Sequence, residues 1–77
     1  MPVTVEFWGP MRRPCAERRM RVVLGDGVTV AALLTHLGYD DREQRSLSIL
    51  VNGDKVELAR TLTAGDTVAL LLLVGGG

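Results

Sequence analysis

Cysteine and histidine, the residues that build most metal centres, are almost absent from this chain. Its 77 residues include one cysteine, Cys15, and one histidine, His36. An internal disulfide needs a second cysteine, and a metal site built on Cys and His needs several ligands, so we expect neither. A chain without disulfides suits a reducing compartment, which predicts a cytoplasmic protein.

Long hydrophobic runs and an excess of one charge are also missing. Nine basic residues balance nine acidic ones, so the composition predicts neither a nucleic acid nor an anionic membrane as a partner. The apolar run at 69–74 is far too short to span a bilayer, and residues 1–8 lack the basic start and apolar block of a secretory signal. The segment 25–27 has neither the spacing nor the lysine of a phosphate-binding loop.

Alternation of apolar and polar residues predicts several strands. In a first strand over residues 3–8, Val3, Val5 and Phe7 share one face, because successive side chains of a strand point to opposite sides. The dipeptide Asn52–Gly53 is a strong turn signal between two further strands. The other segments expected to be strands are 19–24, 47–51, 55–57 and 67–74.

One main helix is predicted between the second and third strands. Thr29 is a favourable N-cap and Gly38 a favourable C′ residue for a helix over residues 30–37. Its apolar residues follow the i, i+3, i+4, i+7 spacing of a single stripe: Val30, Leu33, Leu34 and Leu37. So short a helix is not stable alone, and its stripe must therefore pack on the sheet. The charged segment 40–44 is expected to form a surface turn or a short helix.

These elements fit one small domain. Apolar residues make up 47% of the chain, which is enough for a single core. The element order β-β-α-β-(β)-β, with one helix across one face of the sheet, predicts a two-layer α+β architecture. The sequence shows no internal repeat and no second domain.

The sequence ends in three glycines, Gly75–Gly77, directly after an apolar run. Glycine adds no packing and is costly to order, so a strand that leads into glycines is unusual. Three extended residues reach roughly 10 Å. Such a tail could enter a narrow slot and present its carboxylate to the active site of another protein. A frayed or engineered terminus is the alternative.

The order and spacing of five segments resemble those of the MoaD/ThiS sulfur carriers, which share the ubiquitin-like β-grasp fold. The segments are VEFWGP at 5–10, VTVAALL at 28–34, LVNG at 50–53, LTAGDTV at 62–68, and the terminal glycines. The resemblance covers essentially the whole chain. It implies a single β-grasp domain over residues 1–77, with a mixed sheet of four to five strands, one main helix across one face and a flexible tail at 75–77.

Two features depart from the family pattern. Members typically end in two glycines, whereas this chain has three, so either Gly77 reacts or it is trimmed to expose Gly76. MoaD proteins often carry a Pro-Pro pair before the tail, where this chain has Leu72–Leu73. The second departure weakens assignment to the molybdenum-cofactor branch, but the length and residues 7–13 look more like MoaD than like the shorter ThiS type.

The resemblance also implies a reaction and a set of partners. The terminal carboxyl group, of Gly77 or of Gly76 after trimming, would be adenylated by a ubiquitin-activating-type adenylyltransferase of the MoeB/ThiF kind. A sulfur donor would then replace AMP and leave a thiocarboxylate. ATP would be used by that partner, so the chain itself is expected to bind no cofactor and to be a carrier, not an enzyme.

The acceptor of the sulfur is not fixed by the resemblance. We expect the large subunit of molybdopterin synthase, in molybdenum or tungsten cofactor synthesis. A thiazole-forming enzyme of thiamine synthesis is the second choice. Two other classes stay open: a ubiquitin-like modifier joined to proteins through its glycine, and an interaction module with an inert tail.

In the β-grasp arrangement the third and last strands lie next to each other. Their outward-facing residues would then form an apolar patch on the sheet face that the helix does not cover. Strand parity places Leu50, Ala69, Leu71 and Leu73 on that face. Exposed apolar patches usually mark interaction sites. We therefore expect these residues, with Gly75 and Gly76, to bind the partner; closing a core edge or a dimer interface is the alternative.

Two further features have simpler explanations. Cys15 lies near arginines that could lower the pKa of its thiol, but no base or second cysteine accompanies it, and we interpret it as a bystander. A group of arginines could steer an acidic partner or form an ordinary solvated strand face. Its members are Arg12, Arg13, Arg18, Arg19 and Arg21.

Overall fold

The computed structural model describes residues 1–9 and 17–72. Cys15, Arg12 and Arg13 of the sequence analysis lie outside these residues. Within them the chain forms five strands and two helices, which are β1 (Pro2–Trp8), β2 (Arg19–Val23), α1 (Val30–His36), α2 (Asp41–Ser46), β3 (Ser48–Val51), β4 (Asp54–Lys55) and β5 (Thr67–Leu71).

The five strands form one mixed sheet in the order β2-β1-β5-β3-β4. Strand β1 pairs antiparallel with β2 and parallel with β5, and β3 pairs antiparallel with both β5 and β4. The first and last strands are thus neighbours at the centre of the sheet. This confirms the β-grasp architecture and the expected contact between the third and last strands.

Helix α1 begins at the predicted residue, Val30, and ends at His36, one residue before the predicted end. The Thr29 side-chain oxygen accepts a hydrogen bond from the Ala32 N–H at 3.2 Å, as an N-cap should. Leu37 is the C-cap, and Gly38 follows with φ = +97°. A left-handed residue at this position is the usual way to end a helix.

The charged segment after α1 is a short helix, α2, one of the two alternatives that we had left open. A capping box begins it: the Asp40 carboxylate accepts from the Glu43 N–H at 2.8 Å, and the Glu43 carboxylate accepts from the Asp40 N–H at 3.1 Å. The amide of buried Gln44 donates to the Tyr39 carbonyl at 2.8 Å. Leu47 caps α2, and β3 therefore begins at Ser48 and not at Leu47.

The core lies between α1 and one face of the sheet. The predicted strand parity holds, because Val3, Val5 and Phe7 are all buried. The whole apolar stripe of α1 is buried as well. Burial of apolar surface is the main stabilising term for such a domain. The core residues are Val3, Val5, Phe7, Val22, Val30, Leu33, Leu34, Leu37, Tyr39, Ile49, Val51, Leu62, Val68 and Leu70.

A buried carboxylate ties the turn before β5 to the turn after β3. Asp66 is 6% exposed. Its carboxylate accepts from the Thr63 N–H at 2.8 Å and from the Asn52 amide at 2.9 Å. The Asn52 oxygen in turn accepts from the Thr67 N–H at 3.0 Å. The backbone hydrogen bond from Thr63 is the main cause that lowers the pKa of Asp66, while burial acts in the opposite direction.

The end of β1 and the end of β5 approach each other closely at Gly9. The Leu72 N–H donates to the Trp8 carbonyl at 3.1 Å. Gly9 has φ = +92°, and a Cβ at this position would lie 2.5 Å from the Leu72 carbonyl oxygen. A side chain there would therefore displace the backbone of Leu72, where the described part of the last strand ends.

Replacement of Asp66 by alanine should destabilise the domain by roughly 1–3 kcal/mol, because it removes the charged acceptor of two partly buried hydrogen bonds, from the Asn52 amide and the Thr63 N–H. For a domain of this size, each kcal/mol lowers the Tm by about 4–8 °C. The lowered pKa of Asp66 stabilises the fold above the pKa of the unfolded chain, about 4. That contribution is lost as the pH falls from there through the folded-state pKa.

Thermal melts of the wild type and of Asp66→Ala from neutral pH to about pH 3 test this titration range. The difference in Tm should shrink towards the acidic end. Asp26→Ala is the control, because Asp26 is exposed. Equal losses from the two substitutions at neutral pH would contradict a structural role for the buried carboxylate.

Gly9→Ala should cost more stability than Gly53→Ala. Both glycines have positive φ, +92° and +88°, but nothing lies within 4 Å of a Cβ at Gly53. The loss of stability in Gly53→Ala therefore measures only the cost of placing alanine in the left-handed conformation, roughly 1–2 kcal/mol. Gly9→Ala adds the collision with Leu72. Denaturant unfolding of both variants measures the difference, and equal costs would show that the close approach is not rigid.

Candidate functional site

One face of the sheet lies away from α1, and we call it the outer face. The register places three strands of it side by side. Ala69 of β5 pairs with Leu50 of β3 and with Glu6 of β1, while Leu71 pairs with Trp8. Partners in register point to the same side of a sheet. The outer face thus gathers residues from β1, β3 and β5 at its centre.

Three of the predicted partner-binding residues are brought together on this face. Leu50 and Ala69 are direct cross-strand partners, and Leu71 lies two residues further along β5. All three are partly buried, unlike Leu70, which is fully buried in the core. Strand parity therefore separated the outer face from the core correctly. Whether this face binds a partner stays a prediction.

Trp8 belongs to the same surface, and the sequence analysis missed it. Its side chain is 51% exposed, and it lies opposite Leu71 in the parallel pairing of β1 with β5. The alternation of side chains along β1 could have predicted its position, because Trp8 follows Thr4 and Glu6 at the strand period of two and so lies on the same face. We call Trp8, Leu50, Ala69 and Leu71 the apolar patch.

The apolar patch surrounds a shallow depression of about 280 Å³. A hollow of this kind can accept a side chain from a partner, whereas a flat sheet cannot. Its lining is mostly apolar. The lining residues are Glu6, Trp8, Leu50, Gly53, Thr67, Ala69 and Leu71.

Charged residues of β2 flank the patch. The register sets Arg19 opposite Glu6 and Arg21 opposite Thr4, so both arginines belong to the outer face. Arg19 forms an ion pair with Glu6. A second depression, of about 210 Å³, lies on this side and is lined by Glu6, Trp8, Arg18 and Arg19. Trp8 and Glu6 line both depressions.

The tail begins beside this surface. Leu72, the last residue described at this end, is partly buried and packs against the core. Its N–H bond to Trp8 places the exit of the chain next to the apolar patch. The remaining predicted site residues, Leu73, Gly75, Gly76 and Gly77, lie outside the described residues.

Other kinds of site find no support in the part of the chain that the structure describes. Residues 1–9 and 17–72 contain no group of three or more His, Cys, Asp or Glu residues that could hold a metal ion. His36 is exposed at the end of α1, off the buried stripe. Among the same residues, no helix has the length and hydropathy needed to cross a membrane.

Solved structures confirm the fold. Small archaeal modifier protein 1 from Haloferax volcanii superposes with a TM-score of 0.78, at 21% identity over 95% of this chain and 98% of the other. A putative molybdopterin converting factor subunit 1 from Pyrococcus furiosus gives a TM-score of 0.74, at 23% identity over 95% of this chain and 98% of that one.

A third similar structure is the complex of subunits 1 and 2 of the molybdopterin-converting factor from Helicobacter pylori. The alignment with one of its chains covers 100% of this chain and 100% of the other. The TM-score is 0.68 and the identity 26%. No curated protein sequence matches significantly.

The family follows from the sequence itself. The profile of the ThiS family matches residues 11–77, which is most of the chain and includes the helix, the last strand and the glycines. The mixed sheet with β1 and β5 at its centre agrees with this match. The chain therefore belongs to the ThiS family of ubiquitin-like sulfur carriers.

Proposed function

We propose that the C-terminal glycine of this protein is adenylated by an ATP-dependent enzyme of the MoeB/ThiF kind and converted to a thiocarboxylate, which then donates its sulfur in cofactor synthesis. One observation supports this most directly. The ThiS match runs to Gly77, and the strand that leads to these glycines ends beside the apolar patch. A partner bound to that patch is thus close to the start of the tail.

The chemistry explains why a carrier needs an activating partner. A carboxylate is a poor electrophile, because its charge is delocalised and the leaving group would be oxide. Attack of the carboxylate on the α-phosphate of ATP gives an acyl adenylate and releases pyrophosphate. A donor at the oxidation level of sulfide then attacks the acyl carbon: the new C–S bond forms, the C–O bond to AMP breaks, and a thiocarboxylate remains. Group transfer is split in this way into two easier steps.

The carrier contributes reach and recognition to these steps. Its glycines carry no side chains, so they can pass through a narrow channel, and three extended residues span roughly 10 Å. The groups that bind and neutralise phosphate belong to the partner. ATP is therefore the cofactor of the partner, and the carrier has no catalytic step of its own. We place these reactions in the cytoplasm.

The apolar patch is the docking surface in this proposal. Interfaces usually depend on a few central aromatic or large apolar side chains. Trp8 has the right character, since it is half exposed and borders a hollow. Leu50 and Leu71 complete the wall of that hollow.

For the sulfur acceptor we propose the large subunit of molybdopterin synthase. The support comes from the Helicobacter pylori structure, in which subunits 1 and 2 of the molybdopterin-converting factor form a complex. Thiazole synthesis for thiamine is the alternative within the same chemistry. A role as a protein modifier is favoured by one observation, the similarity to a small archaeal modifier protein. All three begin with the same activated glycine. In the two sulfur-transfer routes a sulfur donor displaces AMP and only the acceptor of the sulfur differs, whereas in a modifier an amine of the target protein displaces AMP.

Removal of Gly76–Gly77 should abolish adenylation and leave the fold intact. The glycines add no packing, yet the carboxyl group must reach the ATP phosphates. ATP–pyrophosphate exchange with the MoeB/ThiF-like enzyme measures the first effect, and a thermal melt measures the second. Unchanged exchange with the shortened chain would contradict the carrier function.

The intact mass of protein isolated from its host identifies the reacting residue, and we expect use of the chain without trimming, since one extra glycine lengthens the reach by only about 3.3 Å. A product that keeps all three glycines, with one oxygen replaced by sulfur, assigns the reaction to Gly77. A product shorter by one glycine assigns it to Gly76 after trimming.

Leu71→Asp should weaken binding to the activating enzyme by roughly tenfold or more, because burial of a leucine in an interface contributes about 1.5–3 kcal/mol. Leu50→Asp should act in the same way. The matched core variant, Leu70→Asp, should unfold the protein, since it buries an unpaired charge. Ala32→Asp is the surface control, since Ala32 is exposed on α1, away from the outer face.

Thermal melts and binding assays of these variants separate the two effects. Leu71→Asp should melt close to the wild type and bind poorly, while Ala32→Asp should leave both properties nearly unchanged. If Leu71→Asp melts as early as Leu70→Asp, the assignment of the two faces is wrong.

A further inference from the structure

Two depressions on the outer face share a common wall. Glu6 and Trp8 of β1 line both of them. On one side lie the apolar residues of β3 and β5, and on the other side lie Arg18 and Arg19. A partner that covers Trp8 therefore meets apolar residues on one flank and two arginines on the other.

The second depression carries an excess of positive charge. Two arginines and one carboxylate line it, and the single carboxylate, that of Glu6, is already paired with Arg19. The whole chain has no net charge, so this excess is local and does not reflect a basic protein. Guanidinium groups present planar, paired donors that match the two oxygens of a carboxylate.

We propose that the outer face recognises a two-part element on its partner: an apolar side chain that enters the hollow over Ala69 and Leu71, and an Asp or Glu carboxylate that binds between Arg18 and Arg19. This inference rests on the proposed function, because it gives the chemistry of the partner at the same docking surface. The two contacts lie about 10 Å apart, since β2 and β5 are each one strand spacing, about 4.8 Å, from β1.

Glu6 acts as an internal competitor in this arrangement. Its carboxylate holds Arg19 in the free protein, so an incoming carboxylate must share that guanidinium or use Arg18 alone. The side chain of Glu6 is only 19% exposed, which keeps its charge close to the arginines. Loss of the Glu6 charge should therefore free Arg19 and strengthen binding. Arginines that merely face solvent would not produce such a gain.

The test measures the affinity of the full chain for the MoeB/ThiF-like enzyme of the same genome by titration calorimetry. Arg18→Glu should weaken binding roughly five- to tenfold, and Glu6→Gln should strengthen it by a few fold. Both effects should fade at about 1 M salt, where charges are screened within about 3 Å. Thermal melts of the variants should stay close to the wild type.

The control is Arg42→Glu, an exposed arginine on α2. Helix α2 packs against α1, away from the outer face. Arg42→Glu therefore changes the net charge by the same amount as Arg18→Glu but does not alter the proposed binding site. Equal weakening by Arg42→Glu and Arg18→Glu would mean that only long-range charge matters, and it would overturn the inference. So would a Glu6→Gln variant that binds like the wild type.

Two further outcomes distinguish this inference from the proposed function. If the wild type does not bind the activating enzyme at all, the proposed function fails and the inference fails with it. If the wild type binds and is adenylated while the charge variants bind equally well, only the inference is lost. Sedimentation completes the test, because a stable dimer broken by Arg18→Glu would assign the surface to a second copy of this chain.

Discussion

The parallel pairing of β1 with β5 determines both the core and the outer face. It places the first and last strands at the centre of the sheet, where each is hydrogen-bonded on both sides. On the inner face, the pairing joins Val5 to Val68 and Phe7 to Leu70 under the helix. On the outer face, the same register sets Trp8 against Leu71. One set of backbone hydrogen bonds thus builds the interior and assembles the candidate docking surface.

Local patterns in the sequence were sufficient for most of the fold. Period-two alternation located the strands and their buried sides, and Thr29 and Gly38 marked the ends of the main helix because capping depends on neighbouring atoms. Boundaries were less accurate where two elements meet. Leu47 continues the alternation of β3, yet it caps α2, because a helix that ends one residue before a strand needs that residue for its last turn.

The candidate site depended more on the register, which no single segment reveals. Parity assigned Leu50, Ala69 and Leu71 to the correct face, but the contribution of Trp8 depends on which strand lies beside β1. The position of the charged residues also depends on the register. Arg19 and Glu6 are separated by 13 positions in the chain, and only the antiparallel pairing of β1 with β2 makes them partners. The sequence marked the arginines as a group, but only the register shows that Arg19 lies beside Glu6.

The central position of β5 also has a mechanical consequence. A force applied at Leu72 along the direction of β5 acts on a strand that is bonded to β1 on one side and to β3 on the other. The hydrogen bonds to both neighbouring strands are then loaded in shear at the same time. They do not break one after another, as those of an edge strand would. The start of β5 is anchored besides by the bond of the Thr67 N–H to Asn52. The last strand of the described residues therefore resists such a pull better than an edge strand would.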